Sequence, residues 1–162
     1  MIRLQLWKVE DTVTIIKKLI RDCSYDFSIR QTVEEILYSV PEKEQYLEIK
    51  ALYEWLCRHY RYTKDVYGEE YIKAPLRMMS EIRGTGFFCG DCDDAVVLSG
   101  CFLKTAGYPV ILSILKKPTS NFFSHIFCYT YTLNGVHIPF DLVVDSFGDK
   151  VQNYKEERLF DL

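Results

Sequence analysis

Gly90-Asp91-Cys92-Asp93-Asp94-Ala95-Val96-Val97-Leu98 opens the stretch whose reading decides the fold. The apolar residues continue through Cys101, Phe102, Leu103 and Ala106. Positions 95, 98, 102 and 106 recur at helical spacing, while Val97 and Cys101 fall on another side. A helix apolar nearly all round is a buried helix. Gly107 and then Pro109 end it, one just past the last turn and the other unable to continue it. Asp91 stands at the N-cap position, and Asp93 and Asp94 fall in the first turn, where carboxylates suit the helix dipole. Cys92 is therefore placed at the N-terminus of a central buried helix. Free backbone amides there favour a thiolate. The three aspartates oppose this by like charge. The expectation is that the amides and a neighbouring imidazole win, so that the Cys92 thiol titrates below the ordinary range.

Composition sets the frame for that helix. A chain of 162 residues is expected to form one domain. Apolar residues make up 48%, enough for a real core, and 12 Tyr with 10 Phe make much of that core or its rim aromatic. The net charge of −3 argues against a nucleic-acid partner. No apolar run is long enough to span a membrane. The opening Met1-Ile2-Arg3-Leu4-Gln5-Leu6 lacks the apolar stretch of a signal peptide, so a cytoplasmic location is expected. Cysteines 23, 57, 89, 92, 101 and 128 then read as free thiols. Cys57, Cys101 and Cys128 sit in patterned segments as small apolar residues.

Upstream of the central stretch, residues 1–90 read as mainly helical. Thr12 to Arg21 carries Val13, Ile16, Leu19 and Ile20 on one stripe. Ser28-Ile29-Arg30-Gln31 fits a capping box and opens a second helix through Leu37. Pro41-Glu42 opens a third, striped by Ile49, Leu52, Tyr53, Leu56 and Tyr60. From Tyr62 to Asp91 the chain is broken by Gly68, Pro75, Gly84, Gly86 and Gly90, and only Ala74 to Ile82 looks helical. So long a connection is usually functional or disordered. Tyr62, Tyr67, Tyr71, Ile72, Met78, Met79, Phe87 and Phe88 argue against disorder, so this segment is expected to wrap the site around Cys92.

Downstream the period changes from 3.6 to 2. Val110 to Leu115, Phe122 to Tyr131 and Val136 to Val144 read as strands, and residues 146–162 as a polar surface tail. Leu133-Asn134-Gly135 joins the last two strands as a hairpin. A two-residue loop pairs Leu133 with Val136 and puts Asp141 on the face opposite His125. A three-residue loop pairs Thr132 with Val136, with Gly135 left-handed. His125 then faces residue 143, with Asp141 and Asp145 as diagonal neighbours about 7 Å away on its own face. The turn chemistry permits a His125–Asp pair without choosing between the two carboxylates.

A thiol at a helix N-terminus, a histidine on a strand and a carboxylate on the next strand follow the logic of a cysteine nucleophile, its base and the group that orients the base. At this point the chain resembles the transglutaminase-like superfamily of cysteine enzymes. Gly90-Asp91-Cys92-Asp93-Asp94 opens the helix, His125 opens a strand, and Pro139-Phe140-Asp141 follows at the superfamily's own His-to-Asp spacing. That spacing favours Asp141 over Asp145. Trp55 to Asp65, with Glu70 and Pro75, looks similar to short phage and prophage members, and the likeness spans roughly residues 47–145. Phe127 matches an aromatic that many members carry, whereas Tyr129 replaces a frequent acidic residue and Leu142-Val143 replaces Pro-Thr. The resemblance implies a papain-like α+β fold, with N-terminal helices and the Cys-bearing helix packed on an antiparallel sheet in residues 91–145. It implies Cys92, His125 and Asp141 as a catalytic triad acting on a protein or peptide amide, more often by hydrolysis than by cross-linking. No cofactor or metal is implied. For a phage-encoded chain it also implies virion or assembly partners and a place in the host cytoplasm or virion.

Three rival readings use the same residues. Cys89-Gly90-Asp91-Cys92 is a Cys-x-x-Cys, the spacing of thiol–disulfide exchange, but an irregular loop rather than a strand is expected before it. Cys89, Cys92, His125 and Cys128 offer zinc ligands, but residues 125 and 128 should point to opposite sheet faces. A non-catalytic virion module would keep the fold without the chemistry. For the enzyme, the Cys92 amide is the expected oxyanion donor, with a second from the Tyr62–Asp91 segment.

Overall fold

The computed structural model describes residues 2–4, 9–65 and 70–162. Met1, Gln5, Leu6, Tyr67 and Gly68, which entered the reading above, lie outside them. Along the described chain the elements are β1 (Ile2–Leu4), α1 (Val9–Cys23), α2 (Phe27–Leu37), α3 (Gln45–His59), β2 (Tyr60–Tyr62), β3 (Glu70–Ile72), α4 (Pro75–Thr85), β4 (Phe88–Gly90), α5 (Cys92–Thr105), β5 (Ile111–Lys116), β6 (Phe123–Tyr131), β7 (His137–Phe140) and β8 (Glu156–Asp161). The fold is α+β, as expected from the sequence: helices pack on an antiparallel sheet of order β7-β6-β5-β8.

Helix α5 is the hub. Every residue from Asp94 to Leu103 is buried, and α1, α2, α3, α4 and β6 all pack against it. Each large aliphatic side chain so enclosed contributes on the order of 1.5–3 kcal/mol. Gly100 lets α1 come close, because a Cβ there would meet Ile20 Cγ1 at 3.0 Å. Ile126 and Cys128 of β6 join this main core, while Leu115, Phe127 and Tyr129 form a second cluster with Val151 and Tyr154. The two sets alternate along the strands, as a sheet with both faces covered requires.

Several local expectations change. Helix α2 is capped by Asp26, whose carboxylate accepts from the Ser28 amide, so Ser28 lies inside the helix. Helix α3 begins at Gln45, after Pro41-Glu42. The segment before Cys92 is not wholly irregular: β4 pairs in parallel with β2, with Tyr62 beside Gly90, and β1 pairs with β3. The third hairpin strand stops at Phe140, because the Asp141 carboxylate accepts the Val143 amide at 3.1 Å and turns the chain. The supposed tail is not merely surface chain. Its last part, β8, pairs antiparallel with β5 along the sheet edge, and Val151 and Tyr154 cover the second face.

Candidate active site

The hairpin takes the three-residue form. Thr132 N–H bonds to Val136 O at 3.1 Å, Gly135 N–H bonds to Thr132 O at 2.9 Å, and Gly135 has φ +78°. The register Tyr131–His137 and Cys128–Phe140 follows from it. His125, at the start of β6, and Asp141, just past β7, therefore share a face. His125 Nε2 lies 2.7 Å from Asp141 Oδ2, and both side chains are buried. Asp145 is exposed.

Asp141 is held from several sides. Oδ1 accepts the Val143 amide at 3.1 Å, and Oδ2 also accepts the Val151 amide at 3.3 Å. Tyr53 of α3 donates to Val144 O at 2.8 Å and meets the Phe140 ring edge-on, so α3 anchors the chain on both sides of the aspartate. With donors already on both its oxygens, Asp141 acts as an acceptor toward the imidazole. That assigns the ring hydrogen to Nε2 and leaves Nδ1 to take a proton. Phe127 stacks on the His125 ring at 5.9 Å.

Cys92 is the first residue of α5. The N-cap carboxylate of Asp91 accepts the Asp93 amide at 3.0 Å, and the first α-helical bond runs from Ala95 N–H to Asp91 O at 3.0 Å. The Cys92 amide belongs to the opening turn, where N–H groups have no intrahelical acceptor. Tyr60 of β2, itself buried, donates to Asp91 O at 3.2 Å. Gly90 is required by space: a Cβ there would stand 2.6 Å from Asp94 Cβ. Asp94 is buried against the segment before it, with Oδ1 accepting the Lys73 amide at 2.7 Å. Burial pushes its carboxyl up to about 7, against the lowering effect of that amide.

The Cys92 sulfur faces β6, where the Ile126 amide donates to it, and it feels the charge of Asp141. The thiol nevertheless departs from the sequence expectation. Burial pushes it well above the ordinary range, and Asp93 and Asp91 push it further, against the Ile126 amide. Its hydrogen points to Asp93 Oδ1, 3.8 Å from the sulfur. The helix amides do not win here, because desolvation and two carboxylates act on the same sulfur.

The rival sites fare differently. Cys89 and Cys92 are free thiols, but the strand β4 does precede Cys92, contrary to the expected loop. Cys128 lies in the main core with its sulfur toward Phe140 O, on the face opposite His125. Among the described residues, the three-residue group with metal-ligand spacing is Asp91, Cys92 and Asp93, whose ligand atoms lie within 4.8 Å of one another. A 680 Å³ groove between α2, α3 and α4, lined by Trp55, Arg58 and Met79 among others, shares no residue with this site.

No family model and no curated protein matches the chain. Solved structures do share its fold. A candidate cysteine protease from Cytophaga hutchinsonii matches with TM-score 0.55 and 16% identity, over 78% of this chain. The chain spans only 41% of the length of that protein. Legionella pneumophila LapG matches with TM-score 0.53 and 20% identity, over 89% of this chain and 77% of LapG. Its calcium-bound form matches with TM-score 0.53 and 20% identity, over 83% and 75%.

Proposed function

We propose that the chain is a cysteine-nucleophile acyl-transfer enzyme acting on peptide or side-chain amides. The observation that carries the reading is the buried His125–Asp141 contact of 2.7 Å on the strand whose Ile126 amide points at the Cys92 sulfur. Cys92 Sγ attacks the amide carbonyl, and His125 Nδ1 takes the thiol proton and returns it to the leaving amine. A thioester forms as the C–N bond breaks, and an incoming nucleophile releases it. Asp141 holds the imidazole and stabilises it while it carries the extra proton. The Cys92 amide receives the oxyanion, and Tyr60 steadies that peptide through Asp91 O. Because the resting thiol is protonated, removing its proton is part of the attack, which makes His125 indispensable.

Water as acceptor gives a peptidase or amidase, and the protease-type fold neighbours favour this over cross-linking. The likeness of Trp55 to Asp65 to short phage members adds a phage or prophage setting to the reading, with virion or assembly proteins as substrates or partners. A second reading, a non-catalytic module of the same fold, is favoured by one observation, the raised Cys92 thiol. Incubation of the protein with a mixed protein substrate in ¹⁸O-water, with and without a labelled primary amine, tests the reading. Hydrolysis puts ¹⁸O into new carboxyl groups, and Cys92→Ser abolishes it. Incorporation of the amine instead would reassign the acceptor. Neither product at any protein concentration would leave the non-catalytic module.

A further inference from the structure

Asp141 Oδ2 accepts from two donors, His125 Nε2 and the Val151 amide. Val151 lies in the irregular run between β7 and β8, so regular hydrogen bonding does not fix its amide in place. Its neighbour Lys150 is heavily fixed. The Lys150 ammonium donates to the hydroxyls of Tyr129 and Tyr154, the latter at 2.8 Å, and to Glu157 Oε2 at 3.0 Å and Oε1 at 3.3 Å. It also sits over the rings of Tyr154 at 4.6 Å, Tyr129 at 5.2 Å and Phe127 at 6.0 Å. Glu157 of β8 is held in turn by Ser113 at 2.6 Å, Tyr129 at 2.9 Å and Tyr154 at 3.1 Å. This receptor is built mainly on the sheet that carries His125, and Phe127 touches both His125 and the lysine.

We propose that Lys150 is a positioning residue for the Asp141–His125 pair: clamped to Tyr129, Tyr154 and Glu157, it fixes the chain that presents the Val151 amide to Asp141. The inference rests on the catalytic reading above. Burial alone would lower the lysine, but its bonds to the tyrosines and Glu157 hold it above its ordinary range, and bonds from Ser113, Lys150, Tyr129 and Tyr154 hold Glu157 below its own against burial. The clamp is therefore charged throughout the neutral range. Once Lys150 lets go, Val151 loses its anchor and Asp141 loses one of the donors that orient it.

A double-mutant cycle on the alkylation rate of Cys92 tests this, with Cys89 as internal control and the thermal midpoint recorded for each variant. Lys150→Met keeps the aliphatic stem and removes the donors. It should slow Cys92 alkylation about tenfold, short of the roughly 10²-fold that a 1 Å misplacement can cost. Asp141→Asn should slow it at least as much, and adding Lys150→Met to Asp141→Asn should change little further. The His125 Nε2 proton should give a downfield NMR signal in the native protein, and that signal should broaden in Lys150→Met. Tyr154→Phe removes one anchor at little cost in packing, and covers the case in which Lys150→Met fails to fold. It should give a smaller slowing that likewise disappears in Asp141→Asn. If Asp141→Asn slows alkylation while the clamp variants do not, or if the effects multiply independently, Lys150 has no positioning role and the catalytic reading stands. If Asp141→Asn itself changes nothing, the catalytic reading fails, and this inference with it.

Discussion

Replacing Asp93 by asparagine should make Cys92 more reactive. The Cys92 sulfur lies 3.8 Å from Asp93 Oδ1, and Asp93 is the charge that raises this thiol most, after burial itself. Two unit charges at about 4 Å interact by about 1 kcal/mol in bulk water and about 4 kcal/mol at an effective dielectric of 20. Asp93 is half-buried, so the value for this pair falls between those limits. At about 1.4 kcal/mol per tenfold, neutralising the carboxylate lowers the thiol and raises its thiolate fraction by about tenfold or more. Asp93→Asn should therefore speed Cys92 alkylation by iodoacetamide by about tenfold or more between pH 6 and 8, followed by mass spectrometry of each cysteine peptide. The loss of a first-turn carboxylate costs about 0.3–1 kcal/mol of helix stability, a separate and smaller effect read from thermal unfolding. An unchanged or slower Cys92 rate, with Cys89 as reference, would refute the electrostatic account of the raised thiol.

Other perturbations probe the same region. Gly90→Ala drives a Cβ against Asp94 and should cost about 1–3 kcal/mol, read as a Tm lower by several degrees. Asp94 is raised by burial to about 7 when folded, against about 3.9 unfolded. Between those values the folded protein holds a proton that the unfolded chain has lost, so its contribution to stability falls as pH rises from about 4 to about 7. That loss is on the order of 4 kcal/mol, and Asp94→Asn should flatten this slope in urea titrations. Calcium or a chelator should leave Cys92 alkylation unchanged, because Asp91 Oδ1 already accepts the Asp93 amide and Asp93 accepts the thiol; a calcium-dependent rate would show that these carboxylates hold an ion.

The parts legible in sequence are those where one local signal decides. Asp91, the apolar run and Gly107 place α5 to within a residue, because cap, period and stop signal agree. Asn134-Gly135 announced the hairpin but left its loop length open, and loop length alone moves Asp141 between the two sheet faces; the His-to-Asp spacing of the resembling superfamily made the choice. Strand β4 is not legible in sequence because Phe88-Cys89-Gly90 is too short to show a period, and its partner Tyr60–Tyr62 lies 28 residues away. Strand β8, Glu-Glu-Arg-Leu-Phe-Asp, is a polar edge strand with little apolar alternation to detect. The Lys150 clamp joins residues from four separate segments, and no spacing reveals it. The sign of the thiol shift is hidden from the sequence for a related reason. Helix position can be read locally, but the desolvation of a sulfur depends on what the rest of the chain packs around it.

In the proposed reaction His125 takes the proton of Cys92. The most direct test is the alkylation rate of Cys92 in His125→Ala against the native protein, measured with limiting iodoacetamide near neutral pH and with Cys89 in the same sample as control. A raised thiol with a working base should lose about 10²-fold in rate when the imidazole is removed, while Cys89 labels as before. Equal rates at Cys92 in both proteins would contradict the account and leave Cys92 a structural cysteine in a non-catalytic fold.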